Sequence, residues 1–413
     1  MKVTIALLTA AAITAASIIP NTAQAEDAPV TFFSVPNALA EEINKMSLDL
    51  YAQLNEDGKN TFFSPLSIST AFGLAQQGAA GETADEMREA LRISFTKDSD
   101  VIATGYEFLM KSLNDRESED AFKLHIANAL WVQEGYGIND AYTKTAKDSF
   151  DARAEELPFQ ANPDESAAII NKWVAEKTAD KIKNLIPASA ITNLTRLILT
   201  NAVYFKGTWQ SKFKKHATHD KEFHLLDGNS PKVPTMHQTS RFGYHETDTM
   251  QALEMRYKKC GLSMVVLLPK AKDGLSALEK ELDEKLLAAV TAKLKQSRRV
   301  RVALPKWTVK TKYGLNAPMQ ALGMKKAFTA GQADFSGITE KEQLFIQAAL
   351  HKAYINVDEE GTEAAAATGL MISATSVELD PPTPFIADHP FMFMIRDTKT
   401  GVILFMGRVL DPR

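Results

Sequence analysis

"EEGTEAAAATG", residues 359–369, decides how this chain is read. Two glutamates lead into a glycine, a threonine and a third acid, then four alanines, a threonine and another glycine. Propensity favours a helix, because alanine is the best helix former and glutamate is close behind. Yet a strand-like run from Tyr354 to Val357 leads straight into it, and Pro381, Pro382 and Pro384 close it off downstream. Laid out as a strand, where side chains alternate faces, the stretch resolves. One face holds Thr362, Ala364, Ala366, Thr368, Leu370, Ile372 and Ala374 and carries no charge. The other holds Glu363, Ala365, Ala367, Gly369, Met371 and Ser373, so the only acid faces water. Gly361 supplies a pivot, and no proline interrupts residues 361–380. The segment is written as a strand that lacks a sheet.

The start of the chain sets the expected compartment. Met1-Lys2 is a short basic start, Ile5 to Ile19 is an apolar run, and Ala23-Gln24-Ala25 supplies small residues at a cleavage site. That is the pattern of a secretory signal peptide, and the apolar run is short of the ~20 residues a spanning helix needs. Residues 1–25 are therefore expected to be removed, leaving one domain over residues 26–413 that is exported to the periplasm or medium, with no membrane association. Cys260 is the only cysteine, so no internal disulfide is available despite export. Packing must supply the stability, and 45% hydrophobic residues permits it. A net charge of −4 argues against a general nucleic-acid binder. The basic cluster Lys293, Lys295, Arg298, Arg299 and Arg301 reads as a solvated helix end running into a strand. No Pro/Gly/Ser linker, repeat or low-complexity tract divides the chain.

Periodicity places helices first and strands later. Leu39, Ile43, Met46, Leu50 and Leu54 fall on one helix face. Ser64-Pro65 opens a helix to about Gln77, with proline where its missing N–H costs nothing. Ala80 to Leu91, Val101 to Leu113 and Asp164 to Ile182 read as further helices. Leu197 to Phe205, Leu262 to Leu268 and Val300 to Leu304 read as strands. Phe391 to Ile395 and Val402 to Met406 form a hairpin around residues 397–401. Helical runs followed by mostly antiparallel strands imply an α+β fold.

One enzyme class has to be weighed. Exported penicillin-recognising enzymes carry Ser-x-x-Lys, Tyr-x-Asn and Lys-Thr-Gly, and this chain holds Ser94-Phe95-Thr96-Lys97, Tyr354-Ile355-Asn356 and Lys399-Thr400-Gly401 in that order. The chemistry needs the serine at a helix start, one turn from its activating lysine. Here Ser94 precedes the next helix cap, Ser99 or Asp100, and Lys399-Thr400-Gly401 sits in a hairpin turn that wants glycine for backbone reasons. Both placements oppose the acyl-enzyme reading. His-Glu-x-x-His, Gly-x-Ser-x-Gly and phosphate-binding glycine loops are absent from the sequence. His216, His219 and His224 read as a polar surface strand rather than metal ligands, and no catalytic residue, metal or cofactor is expected.

A family resemblance runs through nearly all of the chain after the leader. "NTFFSPLSISTAF" (60–72), "NALW" (128–131), "INKWVAEKTADKI" (170–182), "LTNAVYFKGTW" (199–209), "ADFSGI" (333–338), "HKAYINVDEEGTEAAAAT" (351–368), "DHPFMFMI" (388–395) and "ILFMGRV" (403–409) resemble serpin segments in serpin order. The resemblance implies about nine helices around three β-sheets, with an exposed reactive-centre loop over about residues 359–384. It implies a monomer whose partner is a target serine protease. That protease cleaves the loop, which inserts into the central sheet and drags the acyl-linked protease with it. Residue by residue, Glu359, Gly361, Thr362, Ala364, Ala366 and Thr368 match the serpin hinge. Ser64, Ser67, Asn201 and His351 match the buried cluster beneath the point where the sheet parts, called the shutter. Trp209 and Lys306 match the top of that opening, the breach, with Lys306 paired to Glu359. Counting from Glu359 places the scissile bond between Thr375 and Ser376, although the stretch 376–388 is longer than in many serpins. A serpin-like binding protein that never inserts is the alternative, disfavoured by the small uncharged hinge residues.

Overall fold

The computed structural model describes residues 35–118, 122–294, 297–362 and 381–413. These form nine α-helices: α1 (Val35–Leu54), α2 (Pro65–Gln77), α3 (Gly81–Ala90), α4 (Ser99–Asn114), α5 (Asp140–Phe150), α6 (Pro163–Lys177), α7 (Leu275–Glu281), α8 (Glu284–Lys293) and α9 (Asn316–Ala321). The strands are β1 (Thr61–Phe63), β2 (Phe122–Gln133), β3 (Arg153–Leu157), β4 (Leu197–Thr208), β5 (His219–Glu222), β6 (Lys232–Glu246), β7 (Met250–Arg256), β8 (Leu262–Pro269), β9 (Ser297–Pro305), β10 (Trp307–Gly314), β11 (Ala348–Val357), β12 (Gly361–Thr362), β13 (Thr383–Ile386), β14 (Phe391–Asp397) and β15 (Ile403–Val409).

The strands join into two hydrogen-bonded sheets. The larger runs β1-β15-β14-β8-β7-β6-β9-β13, with β5 beside β6. Its two halves meet in β6, whose residues 235–243 pair with β9 and 243–246 with β7. The three expected sheets are thus present as one free sheet and two that share a strand. The smaller sheet runs β10-β11-β12-β4-β2-β3, with β11 also pairing directly with β4. Pairing is more mixed than expected: β11 with β4, β2 with β3 and β9 with β13 are parallel.

Helix α2 touches both sheets and is buried along almost its whole length, Ser67, Ser69, Thr70 and Gln76 included. Ser64 caps it, its Oγ accepting from the Ser67 N–H at 3.1 Å, and Pro65 takes the first helical position. Gly73 lets the Tyr106 ring close in, since a Cβ there would lie 2.6 Å from that ring. On its other face the smaller sheet is partly covered by α6, where Trp131 meets Trp173 edge-on at 5.4 Å.

The expected helix over 164–182 stops at Lys177. Ala179 and Asp180 adopt left-handed φ of 48° and 61°, and Thr178 Oγ1 donates to the Val174 carbonyl while accepting from the Ile182 N–H. The helix cap before α4 is Asp98, one or two residues ahead of the expected Ser99 or Asp100, because its carboxylate accepts from the N–H groups of Asp100 and Val101.

Candidate functional site

The smaller sheet has a seam at its centre. Residues 348–354 of β11 run beside residues 198–204 of β4 as a parallel pair. Above that point the strands part, and β12 fills the gap. Gly361 and Thr362 pair antiparallel with Thr208 and Gly207 of β4, and Thr362 also pairs with Val357 of β11. The chain reverses through a turn in which Asp358 Oδ1 accepts from the Glu360 and Gly361 N–H groups at 2.9 and 3.3 Å. Gly361 is required for contact as well as pivoting, because a Cβ there would lie 1.9 Å from the Gly207 carbonyl oxygen.

Trp209 and Glu359 hold this turn down. The Trp209 indole N–H donates to the Asp358 carbonyl at 3.0 Å, and the Trp209 backbone N–H donates to the Glu360 carbonyl at 2.9 Å. Lys306 Nζ meets Glu359 Oε2 at 3.0 Å, Thr218 Oγ1 donates to Oε1 at 2.7 Å, and Lys212 meets Glu360 at 2.6 Å. Burial pushes the Glu359 carboxyl up, but the hydrogen bonds from Thr218 and Lys306 outweigh it and hold the group below its ordinary value. Asp358 lies above its ordinary value, burial prevailing over its backbone hydrogen bonds. Thr362 is fully buried and shares a 2.7 Å hydrogen bond with the Tyr257 hydroxyl. Tyr257 in turn stacks on Trp209 with ring centroids 4.6 Å apart.

Below the gap, a buried polar cluster ties the seam to α2. The Ser64 N–H donates to His351 Nε2 at 3.3 Å, and Ser64 Oγ donates to the Leu404 carbonyl at 2.6 Å. His351 Nδ1 therefore carries the proton and donates to Asn201 Oδ1, bridging β11 and β4. Asn201 Nδ2 donates to the Ser67 carbonyl at 3.0 Å and also meets Ser67 Oγ and Asn128 Oδ1. Asn128 Nδ2 is buried without a hydrogen-bond partner, which costs about 1–3 kcal/mol.

Burial pushes the His351 imidazole down to about 3. A depressed imidazole stabilises the fold fully above the unfolded value of about 6.5 and loses that contribution as pH falls toward about 3. Across that window the unfolded chain takes up a proton that the folded chain refuses, at up to about 1.4 kcal/mol per pH unit. The variant His351→Gln should show a flatter fall in unfolding midpoint than the wild type between about pH 6 and pH 4. Parallel curves would mean that His351 does not carry this dependence.

The structure thus brings Ser64, Ser67, Asn201 and His351 into one cluster, and Trp209, Lys306, Glu359, Gly361 and Thr362 into another. Ala364, Ala366, Thr368, Thr375 and Ser376 lie outside the described residues, as does the expected leader. Sequence reasoning did not single out Asn128, Thr218, Lys212 or Tyr257. Asn128 opposes Asn201 in the β2–β4 register, yet nothing local marks it, and Thr218 reaches Glu359 across 141 positions. The acyl-enzyme motifs do not form a site. Ser94 Oγ donates to Glu42 at 2.8 Å, Tyr354 lies on the smaller sheet, and Lys399-Thr400-Gly401 turns around Asp397. Among the described residues no group of three or more His, Cys, Asp or Glu could hold a metal ion. His219 stacks instead on His237 at 4.3 Å, and Arg298 lies 5.6 Å over the Tyr244 ring and 4.0 Å from Glu246.

The family model described as Serpin (serine protease inhibitor) matches residues 41–412. A serpin-like protein of Thermococcus kodakarensis is 41% identical over 372 residues, covering 90% of this chain and 85% of that one. Human serpin B4 is 36% identical over 394 residues, covering 91% of this chain and all of its own. The crystal structure of Serpin48 from the insect Tenebrio molitor superposes with a TM-score of 0.80 at 32% identity, covering 95% of this chain and 100% of that one.

Proposed function

Because the chain belongs to the serpin family, we propose that it inhibits serine proteases by covalent trapping, its cleaved loop inserting into the smaller sheet between β4 and β11. The observation that supports this most is the position of β12. Gly361 and Thr362 already lie between the two strands that insertion must separate, antiparallel to both. Continuing the chain in that direction extends a new strand down the seam. Thr362, the first residue of the uncharged face, is buried there. Incubating the chain free of its leader with a panel of serine proteases and resolving the products on a denaturing gel tests the proposal. The leader's composition supports export to the periplasm or medium, and an exported form beginning at Glu26, read by mass spectrometry, is the expected result.

The same reading gives a target class. Thr375 precedes the proposed scissile bond and is small, uncharged and β-branched. A trypsin-like pocket would leave its buried carboxylate unpaired, and a pocket shaped for aromatic rings would be underfilled. Elastase-like and subtilisin-like enzymes are the expected targets. Mass spectrometry of the fragment released from the complex should show a new N-terminus at Ser376. Thr375→Arg should redirect trapping toward trypsin-like enzymes. Efficient trapping of trypsin by the wild type, with elastase ignored, would place the bait elsewhere.

A further inference from the structure

The face of the smaller sheet that α6 partly covers carries a pair of facing lysines. Lys312 of β10 stands directly opposite Lys352 of β11, with Lys310 opposite Tyr354 in the neighbouring row. Like charges directly opposite on antiparallel strands are destabilising, and Lys312 and Lys352 are such a pair. Among the described residues the rows around this pair contain no carboxylate: they read Thr308–Asn356, Lys310–Tyr354–Tyr204–His125, Lys312–Lys352–Ala202–Ala127 and Gly314–Leu350–Thr200–Ala129.

Lys310 and Lys352 are held in place by neutral groups. Lys310 Nζ lies 5.2 Å over the Tyr354 ring, and Lys352 Nζ donates to the Lys183 carbonyl at 2.7 Å in the segment after α6. The row continues through Tyr204, 6.4 Å from Tyr354, to His125, stacked on Tyr204 at 5.6 Å. Burial first, then Lys312 and Lys310, push the Lys352 ammonium below its ordinary value. Lys310 and Lys312 are exposed, so a ligand in water can reach them. Four neighbouring strands are three spacings wide, about 14 Å.

We propose that this face binds an oligoanion bearing several linked phosphates, seated on Lys310, Lys312 and Lys352 and reaching across the seam toward His125. An anion there converts the repulsion among the lysines into shared attraction. A bridge of this kind fits the sheet only while β11 lies beside β4, because an inserted strand would move the two halves apart by about 4.8 Å. Bound ligand therefore favours the closed sheet and slows insertion. That consequence rests on the insertion mechanism proposed above, whereas the binding does not.

Calorimetric titration of the intact chain with a short linear inorganic polyphosphate, against orthophosphate at matched ionic strength, tests the binding. Polyphosphate should bind at least about tenfold more tightly, its affinity falling with added salt. Lys312→Gln should weaken it about fivefold. The unliganded variant should melt at or above the wild-type temperature, since a repulsion has been removed, which separates lost binding from lost folding. Equal affinity for the two anions, or an unchanged affinity in Lys312→Gln, would overturn the site. Binding that leaves the rate of protease trapping unaltered would overturn the bridge across the seam.

Discussion

Cleavage of the loop near Thr375 should give a nicked chain that melts at least about 10 °C above the intact one. The reason lies in what the seam exchanges. Insertion removes the parallel pairing of residues 348–354 with 198–204 and replaces it with antiparallel pairing on both sides of a new strand. Parallel pairing is slightly weaker per residue, and one ladder is traded for two. About ten added backbone hydrogen bonds at ~0.5–1.5 kcal/mol each, with burial of Leu370 and Ile372 at ~1.5–3 kcal/mol apiece, set the scale at about 10 kcal/mol. At ~2.1 cal/mol/K per residue, a chain of this length gains roughly 1 °C per kcal/mol. Calorimetry before and after nicking by a protease that escapes trapping is the measurement. Equal melting temperatures would remove insertion and favour a binding protein that never inserts.

The second large effect is expected from Thr362→Arg. Thr362 is fully buried between β4 and β11 with its hydroxyl on Tyr257. An unpaired guanidinium there costs several kcal/mol, so in the intact chain the arginine should leave the gap for water. Insertion must then bury it, and each ~1.4 kcal/mol of that cost slows insertion tenfold. Insertion slowed about a hundredfold loses to hydrolysis of the acyl linkage, so the variant should be cleaved as a substrate without trapping. Thr362→Val, uncharged and of similar shape, should keep most of the trapping. An unchanged ratio of trapped to cleaved protein in Thr362→Arg would mean that the buried face is assigned wrongly.

How much of this was legible in the sequence depends on the range of each signal. Ser64-Pro65 marked the start of α2 because cap and first turn lie side by side in the chain. Strand β10 was not singled out, although Trp307 and Val309 are buried while Thr308, Lys310 and Lys312 are exposed. Its two outward lysines dilute the apolar composition on which strand assignments lean. The overrun of α6 reflects local conformations at Ala179 and Asp180 that residue type alone does not dictate. The site was legible where a motif travels with its neighbours, as Glu359, Gly361 and Thr362 do. It was illegible where a partner arrives from a distant strand, as Thr218, Tyr257 and Asn128 do. Alternation along residues 362–374 gave the uncharged face, but only tertiary structure could place its first residue in the gap above the seam.

The most direct test of trapping is a denaturing gel of residues 26–413 after brief incubation with an elastase-like protease. Trapping predicts a band that survives denaturation at the summed mass of the protease and the chain lacking its C-terminal fragment, together with that released fragment. Complete loop cleavage across a panel of small-pocket proteases, with free active enzyme and no such band, would contradict it.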